Sequence, residues 1–424
     1  MERQAARRRL DPAEYFFWLA DRVSCRNFVV FAELAGEIDA SALVAAVRRA
    51  QQIHPALRQR FTMDRGETWL EAAGDARIDP HCIAAASGDW RPLIERELAT
   101  PFAPEDAPLM RCLYATLPGE PKTSLLALTF HHSLADGRSA AALLRQLLAE
   151  TISGEIPGPS REVAFPPLHA AFPAAHRPDS PMIEGMGAPR RNRHGLTNDQ
   201  ERLARLKHRL APTEPRIEPI AIAQDGTAGL LAACRREGTT MQGALGAAQL
   251  LATRETLGAL APGILILAHA LDMRPYLERT VPGECLGLYS SMLSANYELG
   301  EASRFWNLAR EIGARLRHQI ARGEAYYCYS LARLFYSLQP PAALPTGSML
   351  TNIGVIKPVP GGGFVRAISF ALVPMPAQLS VCSVSGYGGR LLANLNYDGA
   401  VTPAREAARL AAAFRRRLDD AALN

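Results

Sequence analysis

Apolar positions along the chain recur with two periods. Asn27–Leu34, rich in Val and Phe, and the apolar run Ser124–Phe130 predict buried strands, and Arg111–Leu117, following Pro108, predicts another. Leu57–Met63 and Glu67–Ala72 alternate around Asp64-Arg65-Gly66 and predict a hairpin. Helical spacing appears elsewhere. Asp39 caps Ala40–Ile53, where Leu43, Val47 and Ala50 share a face. Ser139–Ile152 repeats Leu143/Leu144, Leu147/Leu148 and Ile152, a wide stripe for burial. Asp11, Pro12 and Glu14 form a capping box ahead of the run Tyr15-Phe16-Phe17-Trp18-Leu19, so a helix starts there.

The periodicity lapses over Ser153–Pro219, where prolines and arginines crowd the chain, and a linker or crossover is predicted, with a short helix near Asn198–Leu210. It resumes with helices over Gly226–Glu237, Thr240–Leu257 and Arg304–Arg322, the last with Phe305, Leu308, Ile312, Leu316 and Ile320 on one face. Thr402-Pro403 opens a final helix that buries Ala407, Leu410, Phe414 and Leu418. Gly263–Leu271, Met349–Val355, Val365–Leu372, Leu379–Ser385 and Arg390–Tyr397 predict strands. Strands and helices mix in both halves. The expected class is α/β (or mixed α+β), with an N-terminal lobe over 1–152, a linker over 153–219 and a C-terminal lobe over 220–424.

Composition narrows the function classes. A chain of 424 residues, 48% hydrophobic and 21% charged, is globular and long enough for two or three domains. Apolar runs such as Ile264–Ala268 fall far short of the roughly 20 residues that cross a bilayer. The net charge of +5 is mild and its arginines are dispersed, which suits an acidic ligand or partner but not nucleic acid. Seven cysteines without C-x-x-C spacing argue against a disulfide framework and against zinc. Arg7-Arg8-Arg9 lacks the apolar stretch of a signal peptide, because Asp11, Glu14 and Asp21 interrupt the residues after it, so a cytoplasmic location is expected.

Candidate chemistry concentrates in Leu128-Thr129-Phe130-His131-His132-Ser133-Leu134-Ala135-Asp136-Gly137-Arg138-Ser139, a strand end, a turn and a helix start. Successive strand side chains point to opposite faces, so only one of His131 and His132 can look into a given cleft. A neutral imidazole suits proton abstraction from a hydroxyl or amine near pH 7. Asp136 can orient that histidine or pair with a cation, and Gly137 fits a sharp turn into the helix. On local grounds a metal fragment or a solvated loop fits the same residues, although no second His-rich run supplies further ligands, and no metal is expected.

His131-His132-Ser133-Leu134-Ala135-Asp136-Gly137 resembles the HHxxxDG signature of the chloramphenicol acetyltransferase-like superfamily. That superfamily includes condensation domains of nonribosomal peptide synthetases, polyketide-associated acyltransferases and alcohol acetyltransferases. Other segments resemble it in order and spacing. His54-Pro55-Ala56-Leu57-Arg58-Gln59-Arg60-Phe61 is similar to HxxLRxxF. Pro101-Phe102 with Ala107-Pro108-Leu109-Met110-Arg111 is similar to PF…GPLLR, with Ala107 in place of glycine. Leu271–Leu277 carries the matching arginine, Arg274. Leu286–Leu293 is similar to IGxFVNTL, with Ser290 and Ser291 at the Asn-Thr positions. Thr351-Asn352-Ile353-Gly354 resembles an S/T-N-x-G turn, and Leu395–Asp398 a final l-x-Y-D strand. The DFGWG motif of the plant branch is absent from the sequence.

The resemblance implies two chloramphenicol acetyltransferase-like lobes in a V, with a channel between them. It implies that His132 is a general base in that channel and that Asp136 pairs with Arg274 as a structural ion pair. Ser290, Ser291 and Asn352 are implied oxyanion or substrate contacts. The implied activity is acyl transfer in secondary metabolism, from a phosphopantetheine thioester (carrier protein or coenzyme A) to an alcohol or amine, with no bound cofactor. The implied partner is an acyl or peptidyl carrier protein, and a monomer is expected. Two alternatives belong to the same scaffold: a noncatalytic module that recruits a partner enzyme, and non-transfer chemistry such as epimerisation or cyclisation.

Overall fold

The computed structural model describes residues 7–22, 24–103, 105, 107–154, 167–177, 213–258, 263–283, 285–300, 303–332, 347–375 and 378–423. In chain order these form β1 (Arg8–Arg9), α1 (Pro12–Asp21), β2 (Asn27–Leu34), α2 (Ala40–Ile53), β3 (Gln59–Asp64), β4 (Glu67–Ala72), β5 (His81–Ala84), α3 (Arg91–Ala99), β6 (Met110–Leu117), β7 (Thr123–His131) and α4 (Gly137–Ser153). There follow β8 (Pro215–Ile222), α5 (Gln224–Arg236), α6 (Met241–Leu257), β9 (Ile264–Asp272), β10 (Ser290–Glu298), α7 (Phe305–Ala321), α8 (Glu324–Leu331), β11 (Gly347–Val355), β12 (Val365–Leu372), β13 (Gln378–Tyr387), β14 (Arg390–Asp398) and α9 (Ala404–Leu423).

The mixed α/β class stands. One sheet has the order β12-β2-β7-β6-β5 and a second has the order β10-β9-β11-β13-β14-β8. β12 lies late in the chain, yet it pairs antiparallel with β2, from Val365↔Leu34 to Leu372↔Phe28. Its Ile368 and Phe370 join the core built by α2, α4, β2 and β7. The two sheets are thus tied by the chain itself, because β11 and β13 on either side of β12 belong to the second sheet.

Several elements differ from the sequence expectation. Pro55–Arg58 is a 3-10 turn, and the hairpin strand begins only at Gln59. β5 and α3 were not expected: β5 has only four residues and three of them are exposed, so no apolar pattern marks it. β10 was also missed. It is an edge strand whose Ser290, Met292 and Ser294 line a cleft, so polar and apolar residues mix on one face. β8 extends from Pro215 past the end of the expected linker and closes the second sheet beside β14. The helix expected near Asn198–Leu210 lies outside the described residues. On α9, Arg416 and Arg417 both pair with Glu255.

Candidate active site

The β2–β7 ladder delivers the two histidines. Its register runs from Leu34↔Ser124 to Asn27↔His131, and alternation then separates the pair. His131 is fully buried beside Phe61, with ring centroids 5.3 Å apart. Its Nδ1 accepts the Ser133 N–H at 3.2 Å, so its Nε2 faces Asp21 Oδ2, at 3.5 Å, as the donor edge. Burial raises the Asp21 pKa, but the hydrogen bonds from His131 and from the Arg26 N–H outweigh it, and the carboxyl stays below the usual range. His131 is therefore committed to the wall.

His132 faces the other way. It is half-buried and lines a cavity of about 330 Å³. Phe17, from α1, stacks on its ring at 3.8 Å and 10°, and Phe28, from β2, lies at 4.8 Å. The capping of α1 sets Phe17 in place: the Glu14 carboxylate accepts the Asp11 N–H at 2.8 Å and pairs with Arg8, and the Ser133 hydroxyl donates to the Glu14 carbonyl at 2.8 Å. Burial pushes the His132 imidazole down to about 4, against the backbone carbonyls of His132 and Ala135 and the charge of Asp136. The ring is neutral at pH 7, as a general base must be.

Asp136 latches the loop. Its Oδ1 accepts the Ser139 N–H at 2.8 Å and caps α4. Its Oδ2 accepts the Tyr289 N–H at 2.9 Å, and its own N–H donates to the Gly287 carbonyl at 2.9 Å. Arg274 Nη1 stands 3.1 Å from Oδ2 and 2.9 Å from Asp272 Oδ1, with the guanidinium 4.5 Å over the Tyr289 ring. Burial opposes the Arg274 charge, and Asp136 and Asp272 more than offset that, so its pKa is raised. One carboxylate thus ties the start of α4 to the segment 274–289 of the other half.

Gly137 is the first residue of α4, and its φ is not in the left-handed region. The sharp turn expected from sequence is corrected to a close approach: a Cβ there would sit 2.9 Å from Ile353 Cγ2 and 3.6 Å from Phe370. Gly137→Ala is expected to lower stability by about 1–3 kcal/mol, the usual range for overpacking. A urea midpoint equal to or above that of the parent would show that Ile353 gives way freely.

Ser290, Ser291 and Asn352 all line the cavity. The Ser291 hydroxyl donates to the Ala325 carbonyl at 2.6 Å, so its proton is spent on α8. Asn352 is held by a relay: its Oδ1 accepts the Gly354 N–H at 2.9 Å, its Nδ2 donates to Gln242 Oε1 at 3.3 Å, and Gln242 Nε2 meets His269 Nδ1 at 3.0 Å. Ser290 has no such commitment among the described residues. Sequence reasoning missed Phe17, Phe28, Gln242 and Arg26. Only the aromatic run in α1 carried a signal for any of them. The remaining walls are chiefly apolar, including Phe16, Met292, Met349, Phe370 and Met375. Among the described residues no helix is long and apolar enough to cross a membrane.

Residues 15–151 match the family model of the condensation domain, and residues 211–386 match that of the phthiocerol/phthiodiolone dimycocerosyl transferase C-terminus. Surfactin synthase subunit 2 of Bacillus subtilis (strain 168) is 32% identical over 127 residues, 30% of this chain but 4% of that protein, so the chain spans only a small part of that curated relative. Polyketide synthase associated protein 5 from Mycobacterium tuberculosis superposes with a TM-score of 0.67 at 19% identity, over 98% of both chains. The condensation domain from Monacolin K polyketide synthase gives a TM-score of 0.71 at 12% identity, over 99% of this chain and 98% of that one. At those identities the two structures establish a shared fold.

Proposed function

We propose that this chain, a member of the chloramphenicol acetyltransferase-like superfamily, is an acyltransferase of secondary metabolism that moves an acyl group from a thioester to an alcohol or amine. The observation that carries the reading is the fate of the two histidines: one is locked in the wall, and the other stands neutral in an apolar cavity. Donor and acceptor meet at His132. His132 Nε2 takes the proton of the acceptor as it attacks the thioester carbonyl. The tetrahedral oxyanion gathers donors from the cavity wall, with Ser290 as the first candidate. The thiol then leaves with the proton returned from Nε2. No acyl-enzyme is invoked: the thiol of Cys328, which lines the cavity, is pushed up by burial, away from thiolate. The donor is a phosphopantetheine thioester, on a carrier protein or as acyl-coenzyme A, and the carrier is the expected partner.

Intact-mass detection of acyl transfer from a loaded carrier, or from acyl-coenzyme A, to a panel of alcohols and amines tests this reading. Loss of the acyl group only to water, with no product holding both fragments, would overturn it. A pH profile adds a second readout. The base is active when unprotonated, so turnover is expected to be level through neutrality and to fall as pH drops through about 4. Return to neutral pH should restore activity, which separates titration from unfolding. A half-maximal point near the ordinary histidine value would show that the ring is not desolvated during turnover.

A further inference from the structure

We propose that Arg26 anchors a carboxylate carried by one of the two substrates. This rests on the acyl-transfer reading for the word substrate, but its structural basis is independent of His132. Arg26 is 2% exposed, and it lines the same cavity. Its Nη1 donates to the Pro374 carbonyl at 2.6 Å, just past the end of β12. Its Nε and Nη2 are buried with no hydrogen-bond partner among the described residues. Asp21 lies near enough for the Arg26 charge to lower its pKa but makes no hydrogen bond to the guanidinium: its Oδ1 takes the Arg26 backbone N–H at 2.7 Å, and its Oδ2 faces His131. A guanidinium cannot lose its proton, so a full charge with two idle donors stands inside an apolar chamber. Leaving two of its buried donors without acceptors is costly, and a ligand that supplies those acceptors recovers that cost.

The chemistry selects the ligand class. A planar fork with two free N–H groups matches a carboxylate held by parallel hydrogen bonds. One positive charge among Phe28, Leu372, Val373 and Met375 suits a monoanion, because a phosphate dianion would have to shed far more water for the same single counter-charge. Position adds a constraint. Asn27 pairs with His131 in the β2–β7 ladder, so Arg26 and His132 stand one step beyond it, at the cleft end of adjacent strands. The Arg26 side chain then turns away, toward β12 and Pro374. A substrate with its carboxylate on Arg26 therefore has its body laid across the cavity toward His132. The free acid of an amino or hydroxy acid acceptor, or an acyl group ending in a carboxylate, meets that description.

The test pairs acids with their neutral amides. Calorimetry on the full chain compares 3-phenylpropanoate with 3-phenylpropanamide. The parent protein is expected to bind the carboxylate on the order of ten- to a hundredfold more tightly, the range of a charge-assisted pair. Arg26→Met should erase that ratio, and Arg26→Gln, which keeps a donor for Pro374 without the charge, should do the same if the methionine variant does not fold. Equal binding of acid and amide, binding of neither, or a preference that survives both variants overturns the proposal. Turnover then locates the carboxylate. A preference for amino acids over their amides places it on the acceptor, and a preference for succinyl over butyryl thioester places it on the acyl group. Carboxylate binding through Arg26 without any turnover would sink the acyl-transfer reading alone. Turnover indifferent to both charge and Arg26 would sink this one alone.

Discussion

Replacing His132 with alanine is expected to lower acyl transfer by about 10²–10⁴-fold, the usual contribution of a positioned general base, while the protein remains folded. The structural part of that expectation comes from where the ring sits. His132 is half-buried on a cavity wall, and no hydrogen bond of the latch at Asp136 runs through it. Its removal forfeits the stack on Phe17, whose ring centroid lies 3.8 Å away. The catalytic part comes from charge state. With its pKa pushed down to about 4, the ring is neutral at pH 7 and has one nitrogen free to accept the proton of a hydroxyl or an amine. His131 cannot take over, because its Nδ1 is filled by Ser133 and its other edge faces Asp21. Single-turnover transfer from a loaded thioester, measured beside a circular dichroism spectrum, decides the matter. Parent-like rates in the variant would remove His132 from the mechanism. A parent protein that captures a partner without turning over would favour the recruiting module instead.

That only one of the two histidines faces the cleft was legible in the sequence, because it comes from the period of a strand, whereas the choice of His132 came from the family resemblance. The strands Asn27–Leu34 and Val365–Leu372 were legible as short runs rich in Val, Ile and Phe, the composition of a mostly buried strand. That those two strands pair with each other was not legible, since alternation says which residues face inward but not which strand lies alongside. The same gap hid Arg26. In sequence it is an arginine before a strand. It becomes a buried charge only when β12 arrives beside β2 and brings Pro374 and Met375 with it. The pairing of Asp136 with Arg274 spans 138 positions, and it was expected from the family resemblance alone. Ser291 shows the limit of that route, because the resemblance matches a position and cannot foresee that α8 would claim its hydroxyl.

Asp136→Ala should destabilise the protein by about 3–5 kcal/mol, the range for removing one partner of a buried ion pair. The carboxylate is 5% exposed and accepts from two backbone N–H groups, Ser139 in its own half and Tyr289 in the other. Alanine leaves the Tyr289 N–H without its acceptor, uncaps α4 and removes one of the two carboxylates on Arg274. Asp272, at 2.9 Å, keeps that guanidinium from being wholly unpaired, which moderates the loss. Asp136→Asn separates the contributions. It retains an oxygen for the cap or for Tyr289 but not the charge, so it should lose less than alanine. Arg274→Met in the alanine background should then cost less than it does alone, because the pair is already broken. Urea titration of the four variants reads all of this from midpoints. Normal midpoints together with a large fall in turnover would mean that Asp136 acts on the reaction through His132 rather than on the fold.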